Sequence, residues 1–270
     1  MGGKRSQNSD KDGRRKRHKV SGFIDPNTSG IYATCNRGKE NQCRNELINF
    51  FSEKAEEYYG DLDLESDKED KQELTIEEQI AAEVGNLKDK GKNKKETFKP
   101  IDLGCECLIF FKTRKPVQPA EFVQRICQEC HDSKRKTTRY TQKLTPISFS
   151  VSPSIEELKK LAKIVLGPHF HKEEGQEPHK FAINVTRRNF NTLPKSDIIK
   201  TVAECVGREH GHSVDLKAFD KLILVECYKS NIGMSVVENY NQLERFNLQQ
   251  IFDKNQEGAE VEAKSDSNVA

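Results

Sequence analysis

The sequence predicts an α+β fold in two units, and three observations carry the prediction. Short stretches alternate apolar and polar residues as half-buried strands do: Ile31, Ala33 and Cys35 in "GIYATCNR", and Phe181, Ile183 and Val185 in "FAINVTRRNFNT". Other stretches place apolar residues every three or four positions, as in "NQCRNELINFFSEKAEEYYG", where Cys43, Leu47, Phe50, Phe51 and Tyr58 share one helical face. The two kinds alternate along the chain in two groups that meet near residue 146. A length of 270 residues suffices for two ordinary domains.

In chain order, residues 1–28 are polar, basic and low in complexity, and are expected to be a disordered tail. The first unit, 29–145, opens with the strand at Ile31 and the helix that Gly60 stops. Residues 61–99 read as a disordered acidic insert, with a weak amphipathic helix in "TIEEQIAAEVGNL". "CECLIFFKT" then predicts one buried strand, "PAEFVQRICQECH" a helix begun by Pro119, and "RYTQKLTPISFSV" a further strand. The order β, α, insert, β, α, β suits a ferredoxin-like sandwich. The second unit, 146–252, begins with "SPSIEELKKLAKIVLG", opened by Ser152 and Pro153 or by Ser154 with Glu157, and striped by Ile155, Leu158, Leu161, Ala162 and Val165. The strand at Phe181 follows, then a helix with Ile198, Ile199, Val202 and Val206 inward. "LILVEC" reads as a continuous apolar central strand that "SNIG" turns into "MSVVE", and 253–270 reads as an acidic, disordered tail.

Charged residues reach 33% and apolar ones only 34%, so part of the chain is expected outside any core. The net charge of +2 averages unequal blocks. Residues 1–20 hold eight Lys/Arg against two acids, 60–90 hold eleven acids against four bases, and 112–143 hold nine Lys/Arg against three acids. A polyanion would meet the basic blocks, and acidic blocks would repel it or cover them in its absence. No apolar run is long enough to span a bilayer, so an intracellular protein with reduced cysteines and no membrane partner is expected. "RRKRHK" is a cluster that nuclear import receptors read, and equally one that a nucleic-acid-binding tail carries.

Cys127 to His131, "CQECH", matches the spacing of haem attachment and half of a zinc site. Zinc needs two more ligands, and "CEC" at Cys105 has the wrong spacing. Phe122, Val123, Ile126, Cys127 and Cys130 share a helical face, which makes the cysteines core residues. His169 and His171 are expected as loop residues after a helix closed by Gly167 and Pro168. Neither a phosphate-binding Gly-rich loop, a nucleophile elbow, a metalloprotease motif nor a coenzyme A pyrophosphate loop occurs. No catalytic residue, cofactor or metal is therefore expected. The rival from another class is a thiol- or metal-dependent enzyme using Cys127, Cys130 and His131; a third reading is a general RNA-binding or ribosome-assembly factor.

The chain does place cations at predicted element ends: Arg187 and Arg188 with Asn189; Lys112, Arg114 and Lys115; Lys134, Arg135, Lys136 and Arg139; Lys143; and Lys229 with Asn231. Lys and Arg there can neutralise phosphates, and Asn or Thr can reach ribose hydroxyls. The second unit, through "FAINVTRRNFNT", "SDIIKTVAECVG", "VDLKAFDKLILVEC" and "SNIGMSVV", resembles the THUMP domain, an RNA-binding module of tRNA-modifying proteins. With "TSGIYATCNRGKENQC" and "TTRYTQKLTPISFS" the whole resembles the fungal THUMP-domain adaptors of tRNA cytidine acetylation. The resemblance implies a ferredoxin-like domain packed beside a THUMP domain, RNA contacts at Arg187, Arg188, Asn189 and the Lys112 to Lys115 strand end, and no cofactor of its own. It implies as partners leucine and serine tRNAs and a separate RNA cytidine acetyltransferase, with residence in the nucleus, the nucleolus included, and the cytoplasm.

Overall fold

The computed structural model describes residues 22–60 and 97–256. The basic cluster "RRKRHK", the expected helix in "TIEEQIAAEVGNL", nearly all of the acidic insert and most of the acidic C-terminal segment lie outside the described residues.

The first unit runs β1 (Gly30–Cys35), α1 (Glu40–Tyr59), β2 (Phe98–Asp102), β3 (Leu108–Thr113), α2 (Pro119–Ser133) and β4 (Thr141–Ile147). Its strands form an antiparallel sheet in the order β2-β3-β1-β4. Ile31, Ala33 and Cys35 point to one face, where α1 and α2 bury Cys43, Leu47, Phe51, Phe122, Ile126 and Cys127. Phe51 sits at the centre, its ring 5.2 Å from Phe98, 5.3 Å from Phe111 and 5.6 Å from Phe122 between centroids. Such aromatic pairs each add roughly 0.5–1.5 kcal/mol beyond area burial. Where the sequence predicts one strand between the acidic stretch and α2, there are two. "FKPID" forms β2, an edge strand that tolerates Pro100 because the neighbour it would otherwise bond is missing on one side.

The second unit holds β5 (Phe149–Val151), α3 (Ile155–Phe170), β6 (Lys180–Arg188), α4 (Lys195–Val206), β7 (Ser213–Val214), β8 (Lys221–Tyr228) and β9 (Asn231–Glu238), with sheet order β5-β9-β8-β6-β7. The Ser154 hydroxyl accepts the Glu157 N–H at 3.1 Å and caps α3. The helix does not close at Gly167 but continues through Pro168 to Phe170. Proline removes only the bond to the Ile164 carbonyl, and Ile164 lies on the solvent side of the helix, where water can satisfy that group. Both helices cover one sheet face, burying Leu161, Ile198 and Val202 on Phe181, Ile223 and Met234.

"RYTQKLTPISFSV" is not one strand. β4 belongs to the first sheet and β5 to the second, so the chain changes sheets at Ser148, whose N–H donates to the Met234 carbonyl at 3.0 Å. Around this crossing Ile24, Tyr32, Leu103, Leu108, Phe110, Ile147 and Tyr228 form an apolar seam. The backbones meet closely there: a Cβ on Gly233 would stand 2.6 Å from Ile147 Cγ2. The Tyr228 hydroxyl donates to the Leu103 carbonyl at 2.8 Å, and Ser235 Oγ to the Pro146 carbonyl at 2.8 Å. Residues 22–28, read from sequence as part of the tail, pack against this seam, with Ile24 and Thr28 buried. After β9 the chain returns to the first unit, where Tyr240, Leu243, Phe246 and the helix over 248–256, with Leu248 and Ile251, join its core. The core contacts of residues 240–251 thus lie across the boundary that the sequence suggests.

Asn231 is 2% exposed and donates through Nδ2 to the Ile24 and Asp25 carbonyls and to Ser150 Oγ. Asn231→Ala leaves these acceptors dry, and should lower unfolding stability by about 2 kcal/mol. A urea denaturation midpoint equal to that of the unaltered chain would refute this role.

Candidate nucleic-acid interface

The predicted cations of the first unit fall into two groups at opposite ends of its sheet. Gly30 of β1 pairs with Lys112 of β3, and Thr34 with Lys143 of β4. Four residues of strand, about 13 Å, separate these ends. Lys112, Arg114 and Lys115 occupy the first end, where Lys115 borders a groove of about 730 Å³ with Gln118, Gln124, Phe149 and His169. Lys134, Arg135, Lys136 and Arg139, all exposed, lie on the loop from α2 into β4, at the Lys143 end. That loop is held by Glu46 of α1. Its carboxylate accepts the N–H groups of Arg139, Tyr140 and Thr141 and the Thr141 hydroxyl, the last at 2.8 Å.

Arg187 and Arg188 are both within β6, so strand alternation sends them to opposite faces. Arg187 Nη2 donates to the Phe190 carbonyl at 2.8 Å, and its Cζ lies 5.9 Å from the centroid of the Phe190 ring, which braces the turn that Asn189 makes at φ +50°. Arg188 faces the first unit, beside Tyr228 of β8 in register. Glu226 stands one pair earlier on the same face, level with Thr186. Burial raises its carboxyl above the ordinary range, and the Thr186 hydroxyl and the Arg188 and Lys143 cations oppose this without cancelling it. Lys143 Nζ in turn donates to the Tyr240 hydroxyl at 3.0 Å. Lys143 of one unit and Arg188 of the other thus both act electrostatically on the Glu226 carboxyl.

Two predicted contacts are used inside the molecule instead. Lys229 Nζ donates to the Gly22 carbonyl at 2.9 Å and the Leu103 carbonyl at 3.2 Å, over the rings of Phe23 and Tyr228. Asn231 is buried in the seam. The hairpin turn is Lys229–Ser230, which puts Asn231 in β9 rather than at a rim. Glu226, Thr186, Tyr32 and Tyr240 are not among the predicted residues. Glu226 was legible as the one acid in "LILVEC", because a charge in a buried strand requires partners.

Residues 152–237 match the THUMP domain family. Over 277 residues the chain is 48% identical to tRNA acetyltransferase TAN1 of Saccharomyces cerevisiae, covering 94% of this chain and 96% of that protein. The chain belongs to that THUMP-domain family. It is also 39% identical over 230 residues to a Schizosaccharomyces pombe protein, covering 85% of this chain and 77% of the other. THUMP domain-containing protein 1 of Bos taurus is 28% identical over 236 residues, covering 84% of this chain and 64% of that protein.

Arg188 and Glu226 lie within the THUMP match, and Lys143 outside it, on the preceding unit. The cysteine motif is core: Cys127 is 0% and Cys130 4% exposed, and burial pushes both thiols up. Five histidines gather at the other end of the THUMP sheet. His212 Nδ1 accepts the His179 N–H at 3.0 Å, its Nε2 donates to the Phe170 carbonyl at 2.9 Å, and its ring stacks on His179 with centroids 5.8 Å apart. Burial, then the Lys221 cation, depresses both His169 and His179. The unfolded chain therefore binds more protons than the folded one below the ordinary histidine value of about 6.5. Stability should be complete above that pH and fall as pH drops from about 6.5 toward 5, before carboxylates titrate. Thermal melts across that window check it, and His179→Gln should flatten the decline.

Proposed function

We propose that this chain is a noncatalytic tRNA-binding adaptor, which presents leucine and serine tRNAs to a separate RNA cytidine acetyltransferase for N4-acetylcytidine formation in the D-arm. The observation that carries the reading is that Lys143 and Arg188, from two units, both act on the Glu226 carboxyl, with the basic loop from Lys134 to Arg139 at the Lys143 end of the first sheet. A site split between two units suits a folded RNA, whose phosphates follow a shape rather than a linear sequence. The name of the 48% identical yeast protein supports tRNA acetylation as the process. The β-α-β-β-α-β order of the first unit supports its reading as a ferredoxin-like domain with the acidic insert between α1 and β2. Work in the nucleus, the nucleolus included, and the cytoplasm is part of the same proposal.

The adaptor would act by positioning. Binding the tRNA and the enzyme together makes the encounter of cytidine and active site effectively intramolecular, and so raises their effective concentration. Acetyl transfer would remain with the enzyme, because the coenzyme A loop of common acetyltransferases does not occur in this sequence. The yeast relative's name favours the alternative, that the chain itself transfers acetyl groups.

Reconstitution separates the two. The acetyltransferase with tRNA, acetyl-CoA, ATP and this protein should give acetylcytidine, and omission of this protein should abolish it. Product from this protein with tRNA and acetyl-CoA alone would make it the enzyme, and equal product without it would end the adaptor reading. Within binding, Lys143→Ala and Arg188→Ala should each lower the log–log salt slope by about 0.7–0.9, the size of one phosphate contact. Arg187→Ala should leave the slope unchanged while lowering thermal stability, since that side chain braces its own turn.

A further inference from the structure

The loop that carries Lys134, Arg135, Lys136 and Arg139 divides its residues by chemistry. Its threonines are used inside the molecule. Thr137 Oγ1 and Cys130 Sγ share a hydrogen bond at 3.1 Å, the buried Thr138 hydroxyl donates to the Thr141 carbonyl at 3.2 Å, and Thr141 is 2% exposed. The four cations are all exposed, and among the described residues none of them forms an ion pair. The acid that holds the loop, the half-buried Glu46 of α1, bonds its backbone instead. Glu46 Oε1 accepts the Arg139 N–H, and Oε2 accepts the N–H groups of Tyr140 at 3.1 Å and Thr141 at 3.0 Å and the Thr141 hydroxyl at 2.8 Å. Three consecutive N–H groups on one anion fix the backbone at the last cation of the loop, where Arg139 Cζ lies 5.4 Å from the Tyr140 ring. Further back in the loop, Lys136 Nζ lies 5.7 Å from the ring of Phe252.

We propose that Glu46 is a positioning residue for tRNA: without touching the RNA, its clamp on residues 139–141 sets the loop cations at the spacing that the phosphates of a folded RNA present. The proposal rests on the RNA-binding reading above. Phosphate contacts define register when their donors are held in place, and a loop that must be ordered during binding loses affinity to that ordering. Lys and Arg side chains are long and mobile, so the backbone that bears them is what the fold can fix. An ionised carboxylate suits the clamp because it only accepts, with room for four donors on two oxygens. Glutamine would turn its NH2 group toward backbone N–H groups, and an apolar residue would leave three of them without an acceptor. Charge alone argues against an acid at this place, since a negative group beside four cations weakens their pull on a polyanion. Simple electrostatics therefore predicts that neutralising Glu46 tightens binding to every RNA, whereas positioning predicts weaker binding to tRNA. The two effects have opposite signs.

The test is binding of a tRNA transcript by the full chain at one fixed salt concentration, beside an unstructured single-stranded RNA of the same length. Glu46→Gln should weaken tRNA binding about tenfold. It should leave the single strand within about twofold or bind it tighter, because a flexible strand can adapt to loosely held cations. Unfolding of a fraction of the protein would weaken both alike, so the ratio of the two affinities reads positioning and not stability. Glu46→Asp keeps the charge but is one methylene shorter, and should lose part of the same preference. With Lys134, Arg135, Lys136 and Arg139 all changed to alanine, Glu46→Gln should alter tRNA binding by less than about twofold, since it acts only through them. Equal or tighter tRNA binding by a folded Glu46→Gln, an equal loss on both RNAs, or the full loss in the alanine background overturns the proposal. If neither substitution at Glu46 folds, hydrogen exchange of the unaltered chain decides: the Arg139 and Tyr140 amides should exchange at least about tenfold more slowly than that of Lys136. Equal rates overturn it. Failure of the unaltered chain to bind tRNA, or to prefer it to the single strand, overturns the adaptor reading instead.

Discussion

Residues 141–151 join the two sheets, β4 in one and β5 in the other, and the relation of the two units depends on that crossing. Because β4 pairs with β1 and β5 pairs with β9, the two sheets are joined through one residue of chain, and the Ser148 N–H to Met234 carbonyl bond and the apolar seam hold them together. The turn between them is a single residue, Ser148, which leaves little length to act as a hinge. The seam residues Tyr32, Phe110, Ile147 and Tyr228 then pack because the crossing presses the sheets together, with Gly233 as the point where the backbone needs the space of a missing side chain. Lys143 lies on β4 before the crossing, and Arg188 on the sheet that β5 joins. Their relation is therefore fixed by backbone rather than by the flexibility of two tethered domains.

The seam is also where polar groups were recruited for structure. Tyr228, Asn231, Lys229 and Ser235 each donate to a carbonyl across or beside the crossing. Each bond adds only about 1 kcal/mol net, but leaving any of those carbonyls dry costs more, so the set behaves as a requirement rather than a sum. Segment 22–28 is part of the same set: it supplies the Gly22, Ile24 and Asp25 carbonyls and the Asn27 N–H that meets Ser150 O at 2.7 Å. A short N-terminal strap is thus tied to the hairpin by donors that, read from sequence, look available for a ligand.

Local pattern made most of the fold legible, and the misreadings share one cause. Period-two and period-3.6 stretches correctly located β1, α1, α2, α3, β6, α4 and the β8–β9 hairpin, because each buries one face in its own unit. "FKPID" was invisible because an edge strand with Lys99 and Pro100 has little apolar alternation to detect. The division of 141–151 was invisible because alternation continues across Ser148 while the partner strand changes. The basic rim was legible as charge, but which cations are free was not. Lys229 and Arg188 look alike in sequence, and only the carbonyls of Gly22 and Leu103, distant along the chain, distinguish them.

Adjacent arginines at a strand end are informative for a geometric reason. Since β6 remains paired to Arg188, the two guanidinium groups must leave on opposite faces, and one charge pair cannot serve one ligand. Arg187 is left on the helix face, where its fork closes on the Phe190 carbonyl and makes the following turn rigid. Arg188 is left exposed on the face toward the first unit. Glu226, on the same face of the neighbouring strand, is a half-buried carboxyl that burial raises and that Arg188 and Lys143 draw back down in part. Its neighbours on that face are polar at Thr186 and Arg188, so the acid follows the polar end of this face rather than the apolar strand it interrupts.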